Sequence, residues 1–321
     1  MRMIEAIGGY FELELAPQKN FLYQDAKHYH SARAAFLALL RSVKPKRVWM
    51  PRYICDSMLA PVHAAGIEIC HYAIDKNFSV AQSIDLQKQD IFLYVNYFGI
   101  CEKQVDYILE KFNPLQVVID CSQAFYAKPK KCLATVYSPR KFFGLPDGGL
   151  LVTDHSVPVP QEQDKGSEKR MEHLIKRLGG TPEAGYDAFQ QAEQSLNDLG
   201  PYSMSALTEQ LLASVDVGAA KEARNRNFHY LRNALDDSNL LKIPDIVDGP
   251  MCYPYLTDKN ISRSDFAKER IFMATYWTDA LGRIDYNSVE SQFINSCYPI
   301  PCDQRYDEVA LHRILRLLQS N

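Results

Sequence analysis

The chain has 321 residues, of which 46% are hydrophobic and 23% are charged, and its formal net charge at pH 7 is −3. This composition is ordinary for a globular protein, and the length allows one large domain with a smaller one. The charge balance and the lack of a long apolar run argue against nucleic-acid and membrane partners, so we expect a soluble, cytoplasmic protein.

The first half of the chain alternates helical patterns with short apolar runs. The helical patterns are SARAAFLALLRS, with Ser31 at its start, then ICDSMLAPVHAAG and CEKQVDYILEKF. The apolar runs, which we interpret as strands, are RVWMP, IEICHYAI, IFLYVNYFG, QVVID, LATVYS and GGLLVTD. This alternation predicts an α/β fold with a mixed, mostly parallel sheet flanked by helices, in which ligands bind at the carboxyl ends of the strands.

The second half has a different pattern. A polar, proline-bearing loop follows Asp154, and helical stretches are predicted around 167–177 and 184–199 and from about Ser203 to Leu235. Beyond them, LKIPDI, MCYPYL and SCYPIP are strand-like, whereas SRSDFAKERIF and the closing YDEVALHRILRLLQ are helical. We therefore predict a large domain over 1–204, a bridging helix over 205–235 and a smaller C-terminal α+β domain over 236–321.

The eight cysteines give no sign of a metal or redox motif. No two of them have the two-residue spacing of a zinc knuckle, and several, such as Cys70 and Cys121, lie in apolar runs. We interpret them as small buried thiols of a reducing compartment, with no metal site.

Two charged residues follow apolar strands in the predicted sheet. Asp120 ends QVVID, where it either caps the next turn or faces a cation. Lys141 follows LATVYS and precedes two phenylalanines, so it either extends to solvent or acts in a pocket, where a neutral amine forms Schiff bases. Arg140 is an alternative pocket residue, although strand alternation puts it on the opposite side from Lys141.

The start of the first helix, HSARAA, is a third candidate position. A helix N-terminus offers free N–H groups to a phosphate, and Ser31 and Arg33 add a hydroxyl and a guanidinium. The alternative is a capped surface helix with a solvated arginine. A phosphate anchor, an aspartate and a Schiff-base lysine are together the parts that hold pyridoxal phosphate.

These motifs and their order resemble the DegT/StrS-type sugar aminotransferases, which are fold-type I pyridoxal-phosphate enzymes. The similar segments are HSARAAFLALL, RVWMPRYICDSMLAPVHAAGIEICHYAID, VNYFGI, VVIDCSQAF, YSPRKFFGLPDGG, GPYSMSALTEQLLAS, RNRNFHYLRNAL and CYPIPCDQRYDEVALHRILRLL. They cover most of the chain, and the aspartate and lysine motifs carry the resemblance most strongly.

The resemblance implies a role for each candidate residue. Lys141 would form the Schiff base with the cofactor and move protons, and Asp120 would pair with the pyridine nitrogen. Gln123 would contact the phenolic oxygen side. The residues expected to hold the phosphate are Ser31, Ala32, Arg33 and Ser138, and those expected to border the ring or substrate are Tyr53 and Tyr97, for which core packing is the alternative.

The chain departs from the family pattern at the loop before the long helix. The family has an asparagine there that reaches the partner subunit's phosphate, whereas this chain has Pro201, and Ser203 replaces a usual arginine. Because proline cannot donate a hydrogen bond, we hypothesise that Arg33 supplies the missing phosphate contact.

The resemblance implies an aminotransferase that moves an amino group from an amino acid such as glutamate to a keto-sugar nucleotide, for surface polysaccharide or related sugar biosynthesis. It also implies a homodimer with its active site at the interface. The alternatives are another reaction or acceptor on the same scaffold, and a regulatory protein that binds the cofactor without turnover.

Overall fold

The computed structural model describes residues 7–16, 22–259 and 261–320. The strands are β1 Lys27–Tyr29, β2 Arg47–Pro51, β3 Glu68–Tyr72, β4 Asp90–Val95, β5 Val117–Cys121, β6 Ala134–Tyr137, β7 Gly149–Val152, β8 Glu162–Gln163, β9 Tyr202–Ser203, β10 Tyr253–Leu256 and β11 Cys297–Ile300. The helices are α1 Ala32–Val43, α2 Asp56–Ala64, α3 Glu102–Lys111, α4 Ser167–Arg170, α5 Glu172–Gly179, α6 Tyr186–Ser195, α7 Ala206–Ser214, α8 Val217–Leu235, α9 Arg263–Lys268, α10 Val289–Ser296 and α11 Glu308–Ser320.

A seven-stranded sheet in the order β1-β7-β6-β5-β4-β2-β3 forms the centre of the first half of the chain. The neighbours from β6 to β3 run parallel, whereas β7 is antiparallel to both β6 and β1. Every residue of β4 and β5 is buried, which explains their continuous apolar sequence. The predicted mixed, mostly parallel sheet flanked by helices is confirmed.

The register of the central strands positions the candidate site. Asp120, near the end of β5, lies between Val95 on β4 and Val136 on β6. The loops that leave β4, β5 and β6 therefore start side by side at the carboxyl edge of the sheet, where open α/β sheets bind ligands.

A pair of glycines lets the start of α1 approach the sheet. Gly148 has a φ of +121°, and its N–H donates to the carbonyl of His30 at 2.7 Å. A Cβ on Gly149 would lie 2.1 Å from the carbonyl carbon of Ser31 and 2.3 Å from the nitrogen of Ala32. Only glycine allows the helix start this close to β7.

Two predicted elements of the second half differ from the structure, and α10 and the short β8–β9 pair were not predicted. The predicted helix from about Ser203 to Leu235 is two helices, α7 and α8, because Asp216 caps a new start by accepting the N–H of Ala219 at 2.9 Å. The predicted strand LKIPDI is wrong, because the carbonyls of Pro244 and Asp245 accept bonds from the Arg232 side chain, not from a neighbouring strand.

The C-terminal part is built on an antiparallel pair, β10 and β11, with α8 packed against β10 and α11. The domain boundaries at 204 and 235 stay predictions. All eight cysteines are free, and each is buried or half-buried. Across residues 7–16, 22–259 and 261–320, no helix is both long and apolar enough to cross a membrane.

Candidate active site

A cleft at the carboxyl edge of the sheet brings together five of the predicted site residues, which are Ser31, Ala32, Arg33, Ser138 and Lys141. Cys55, Arg140 and Leu196 also line it. The cavity has a volume of about 30 Å³, which is room for little more than one water molecule.

The N-terminus of α1 forms one wall of the cleft. Ser31 has extended backbone geometry, and its hydroxyl accepts the N–H of Ala34 at 3.2 Å, so the predicted cap is confirmed. The first N–H groups of a helix have no partner within the helix, and here they begin beside the cleft at Ala32. This wall therefore suits an anion.

Two arginines give the cleft its positive charge. Arg33 donates to the side-chain carbonyl of Asn197, and Arg140 forms an ion pair with Glu193. Burial, with repulsion from Arg33 and Arg170, lowers the pKa of Arg140 to about 10. Burial likewise lowers the pKa of Arg33. Burial is the main cause of both shifts, and only that of Arg140 also reflects repulsion from neighbouring arginines.

The expectation that Arg140 and Lys141 point to opposite sides is wrong. Residues Pro139–Lys141 form a single turn of 3₁₀ helix after β6, so the two-residue alternation of a strand does not apply there. Arg140 and Lys141 both line the cleft, and Lys141 is exposed to solvent.

The loop that carries Lys141 is held from the C-terminal part of the chain. The carbonyl of Phe142 accepts bonds from Arg224 at 3.2 Å and from Gln304 at 2.9 Å. Arg224 is 2% exposed, and its guanidinium lies 4.6 Å from the centre of the Phe142 ring. It also donates to the carbonyls of Pro250 and Met251.

Replacing this buried arginine tests how firmly the lysine loop is held. We expect Arg224→Met to lower the free energy of unfolding by about 3 kcal/mol or more, because buried carbonyls left without a donor cost about 1–3 kcal/mol each. Urea unfolding followed by circular dichroism measures the change. Arg226→Met, at an exposed position of the same helix, is the matched control. Equal stability of the two variants would contradict this account of the loop.

Asp120, near the end of β5, and Gln123, in the turn that follows, are both buried. The Asp120 carboxylate accepts the N–H of Ser122 at 2.8 Å, which is the turn cap considered as its alternative role. Gln123 accepts the N–H of Phe98 at 2.9 Å, and its amide nitrogen has no partner among the described residues. This buried amide is therefore free to donate to a group from outside the protein, such as a ligand or a water molecule.

Tyr53 and Tyr97, predicted to border the ring or substrate with core packing as the alternative, lie in an aromatic cluster. Their rings are 5.6 Å apart, fully buried, and packed with Trp277. The Tyr97 hydroxyl donates to the carbonyl of Tyr53 at 2.9 Å. Within the described part of the chain neither tyrosine lines the cleft, so the geometry favours core packing.

Asp147, in the loop before β7, anchors the segments that follow the sheet. It is fully buried, which raises its pKa, and it accepts the hydroxyls of Ser167 and Ser205. Ser205 also caps α7, so one carboxylate holds the starts of both α4 and α7.

No motif or spacing indicates a role for Glu193 and Asn197, which contact the arginines of the cleft. They lie in α6 and in the turn after it, within a stretch predicted only to be helical. Their role depends on how α6 packs over the cleft.

No protein-family model matches the sequence, and no curated protein matches it. Solved structures do match. DesV of S. venezuelae, in complex with a ketimine intermediate, is 14% identical, with a TM-score of 0.63 over 92% of this chain and 84% of that one. DesI, in the presence of its TDP-sugar product, is 16% identical, with a TM-score of 0.62 over 92% and 80%.

The third structure is the pyridoxal-phosphate form of Spr1654, a putative sugar aminotransferase from Streptococcus pneumoniae. It is 15% identical, with a TM-score of 0.63 over 92% of this chain and 86% of that one. At these identities the likeness establishes the fold, which is that of the fold-type I pyridoxal-phosphate aminotransferases.

Proposed function

We propose that the protein is a pyridoxal-phosphate-dependent aminotransferase that transfers an amino group from an amino acid such as glutamate to a keto-sugar nucleotide. The observation that carries the proposal is the meeting of Lys141 with the N-terminus of α1 in one positively charged cleft. An amine for the cofactor's aldehyde and donors for its phosphate are the two attachments that this cofactor needs.

The donors and acceptors around the cleft fit pyridoxal phosphate. The start of α1, with Arg33 and Ser138, suits the phosphate, and the unpaired amide of Gln123 suits the phenolic oxygen. Asp120 suits the pyridine nitrogen. When bound, the cofactor supplies an electron sink that allows a proton to leave the α-carbon of an amino acid. We assign Lys141 to accept that proton and return it on the acceptor side.

The solved structures support a sugar-nucleotide acceptor over other amine acceptors. DesI is described with a TDP-sugar product, and Spr1654 as a sugar aminotransferase, and both share this fold over most of their length. We extend their substrate class to this chain as part of the proposal, with surface polysaccharide or related sugar biosynthesis as the setting.

The visible spectrum of the purified protein tests the proposal in three steps. We expect a visible absorption band when pyridoxal phosphate is added, loss of the band when L-glutamate follows, and recovery of the band when a keto-sugar nucleotide is added. No band after addition of the cofactor would falsify the proposal.

The same titration separates the two alternatives. A band that no amino acid changes would indicate a protein that binds the cofactor without turnover. A band lost with glutamate that no keto-sugar nucleotide restores would indicate another acceptor or reaction on the same scaffold.

We also propose that the protein is a homodimer. Helices α5 and α6 expose apolar side chains in the single chain, and a second copy could cover them; they are Ile175, Leu178, Tyr186 and Phe189. A monomeric mass in light scattering at micromolar concentration would contradict this assignment.

A further inference from the structure

The two arginines of the cleft are both held by the end of one helix. Glu193, in the last turn of α6, pairs with Arg140, and Asn197, just beyond α6, accepts from Arg33. Leu196 lies between these two contacts, is 1% exposed, and lines the cleft. The end of α6 therefore covers the anion-binding wall formed by α1.

The charges at this place do not balance. Arg33, Arg140 and Lys141 line the cleft, and Glu193 is the carboxylate paired with them, since Asn197 is neutral. The charged groups around them already have partners: Arg170 forms an ion pair with Asp164, and the Asp147 carboxylate accepts hydrogen bonds from Ser167 and Ser205. An anion that takes the place of Glu193 faces three positively charged side chains, which favours a doubly charged anion such as a phosphate group.

The cleft is narrow, with a volume of about 30 Å³. A phosphate group that reaches both arginines competes with the groups that now hold them, which are Glu193 and Asn197. The Glu193 carboxylate pairs with the Arg140 guanidinium through one oxygen, a contact that a phosphate oxygen can replace, and its side chain is 36% exposed. It can therefore move outward into solvent without leaving a buried charge unpaired.

We propose that Arg33 and Arg140 together form a phosphate-binding site within one chain, and that Glu193 and Asn197 occupy these arginines until a phosphomonoester displaces them. Binding moves the end of α6 away from the start of α1 and opens the cleft. The identity of the phosphomonoester as pyridoxal phosphate rests on the proposed function, whereas the two-arginine site does not.

The two-arginine site needs no phosphate donor from the loop after α6. Pro201 in that loop has no N–H to donate, and Ser203 is engaged in β9, where it pairs with β8. A phosphate bound through Arg33 and Arg140 needs neither of them. Arg140 is the phosphate contact that the sequence did not assign.

Phosphate affinity distinguishes displacement from a merely structural ion pair. We expect Glu193→Gln to tighten binding of inorganic phosphate to the full chain by about two- to fivefold, because the competing carboxylate is half-exposed and modest in strength. Arg140→Ala should weaken it by at least about tenfold, and Arg140→Lys should recover part of the loss. Isothermal titration calorimetry measures all three.

Glu172→Gln is the matched control, because Glu172 is an exposed carboxylate on α5 that pairs with Lys176. We expect this variant to bind phosphate with the same affinity as the wild type. A Glu193→Gln variant with unchanged or weaker phosphate binding would overturn the displacement. An Arg140→Ala variant with unchanged binding would overturn the two-arginine site.

The same variants titrated with pyridoxal phosphate separate this inference from the proposed function. If the Glu193 and Arg140 variants change phosphate affinity as expected but the cofactor gives no visible band, the two-arginine site stands and the proposed aminotransferase function is wrong. If the visible band forms with equal cofactor affinity in the wild type and in Arg140→Ala, the proposed aminotransferase function stands and the role of Arg140 in phosphate binding is wrong.

Discussion

Lys141→Ala is expected to abolish the visible band of the bound cofactor and to reduce amino-group transfer by at least about 10²–10⁴-fold, the usual contribution of a positioned acid–base group. The lysine lies in the same cleft as the start of α1, where the phosphate is expected. Its removal takes away both the covalent attachment and the proton carrier. Absorption spectra and glutamate-dependent transfer assays measure the two losses.

The fold should survive this substitution, because Lys141 is exposed and the turn around it is held by backbone bonds and by Arg224. Lys131→Ala, at an exposed position in the loop before β6, should keep the band and the activity. If Lys141→Ala retained the band while Lys131→Ala lost it, the assignment of the reacting lysine would be wrong.

Gly149→Ala is expected to displace the N-terminus of α1, where the phosphate is expected to bind, without changing any side chain that contacts the ligand. The added methyl group would lie 2.1 Å from the backbone of Ser31, and neither backbone can yield without a shift of α1 or β7. Overpacking of this kind costs about 1–3 kcal/mol. A displacement near 1 Å at a site can lower activity by about 10²-fold.

Thermal unfolding and cofactor titration together measure this effect. Gly179→Ala is the matched control, since a Cβ at Gly179 meets nothing within 4 Å, and its stability and cofactor affinity should not fall. Normal cofactor binding by Gly149→Ala would show that the close approach of α1 to β7 is not needed for the site.

Part of the site could be predicted because its signals are local. The apolar runs mark the strand that carries Asp120 and the strand that precedes Lys141, and these two strands are parallel neighbours in the sheet. The Ser31 cap could be recognised from the residue type and the helical pattern after it. The break between α7 and α8 was missed because Asp216 is a cap in the middle of a continuous helical pattern.

The sequence by itself determined the alternation of strands and helices, the mixed sheet, and the positions of Asp120 near the end of one strand and of Lys141 shortly after the next. These features depend on residue periodicity over a few turns or strand lengths. Only the tertiary structure decided that Arg140 faces the cleft with Lys141, that Tyr53 is packed against Trp277, and that Glu193 holds Arg140. The reason is physical: each of these depends on a backbone turn or on a contact between distant segments, which no local pattern encodes.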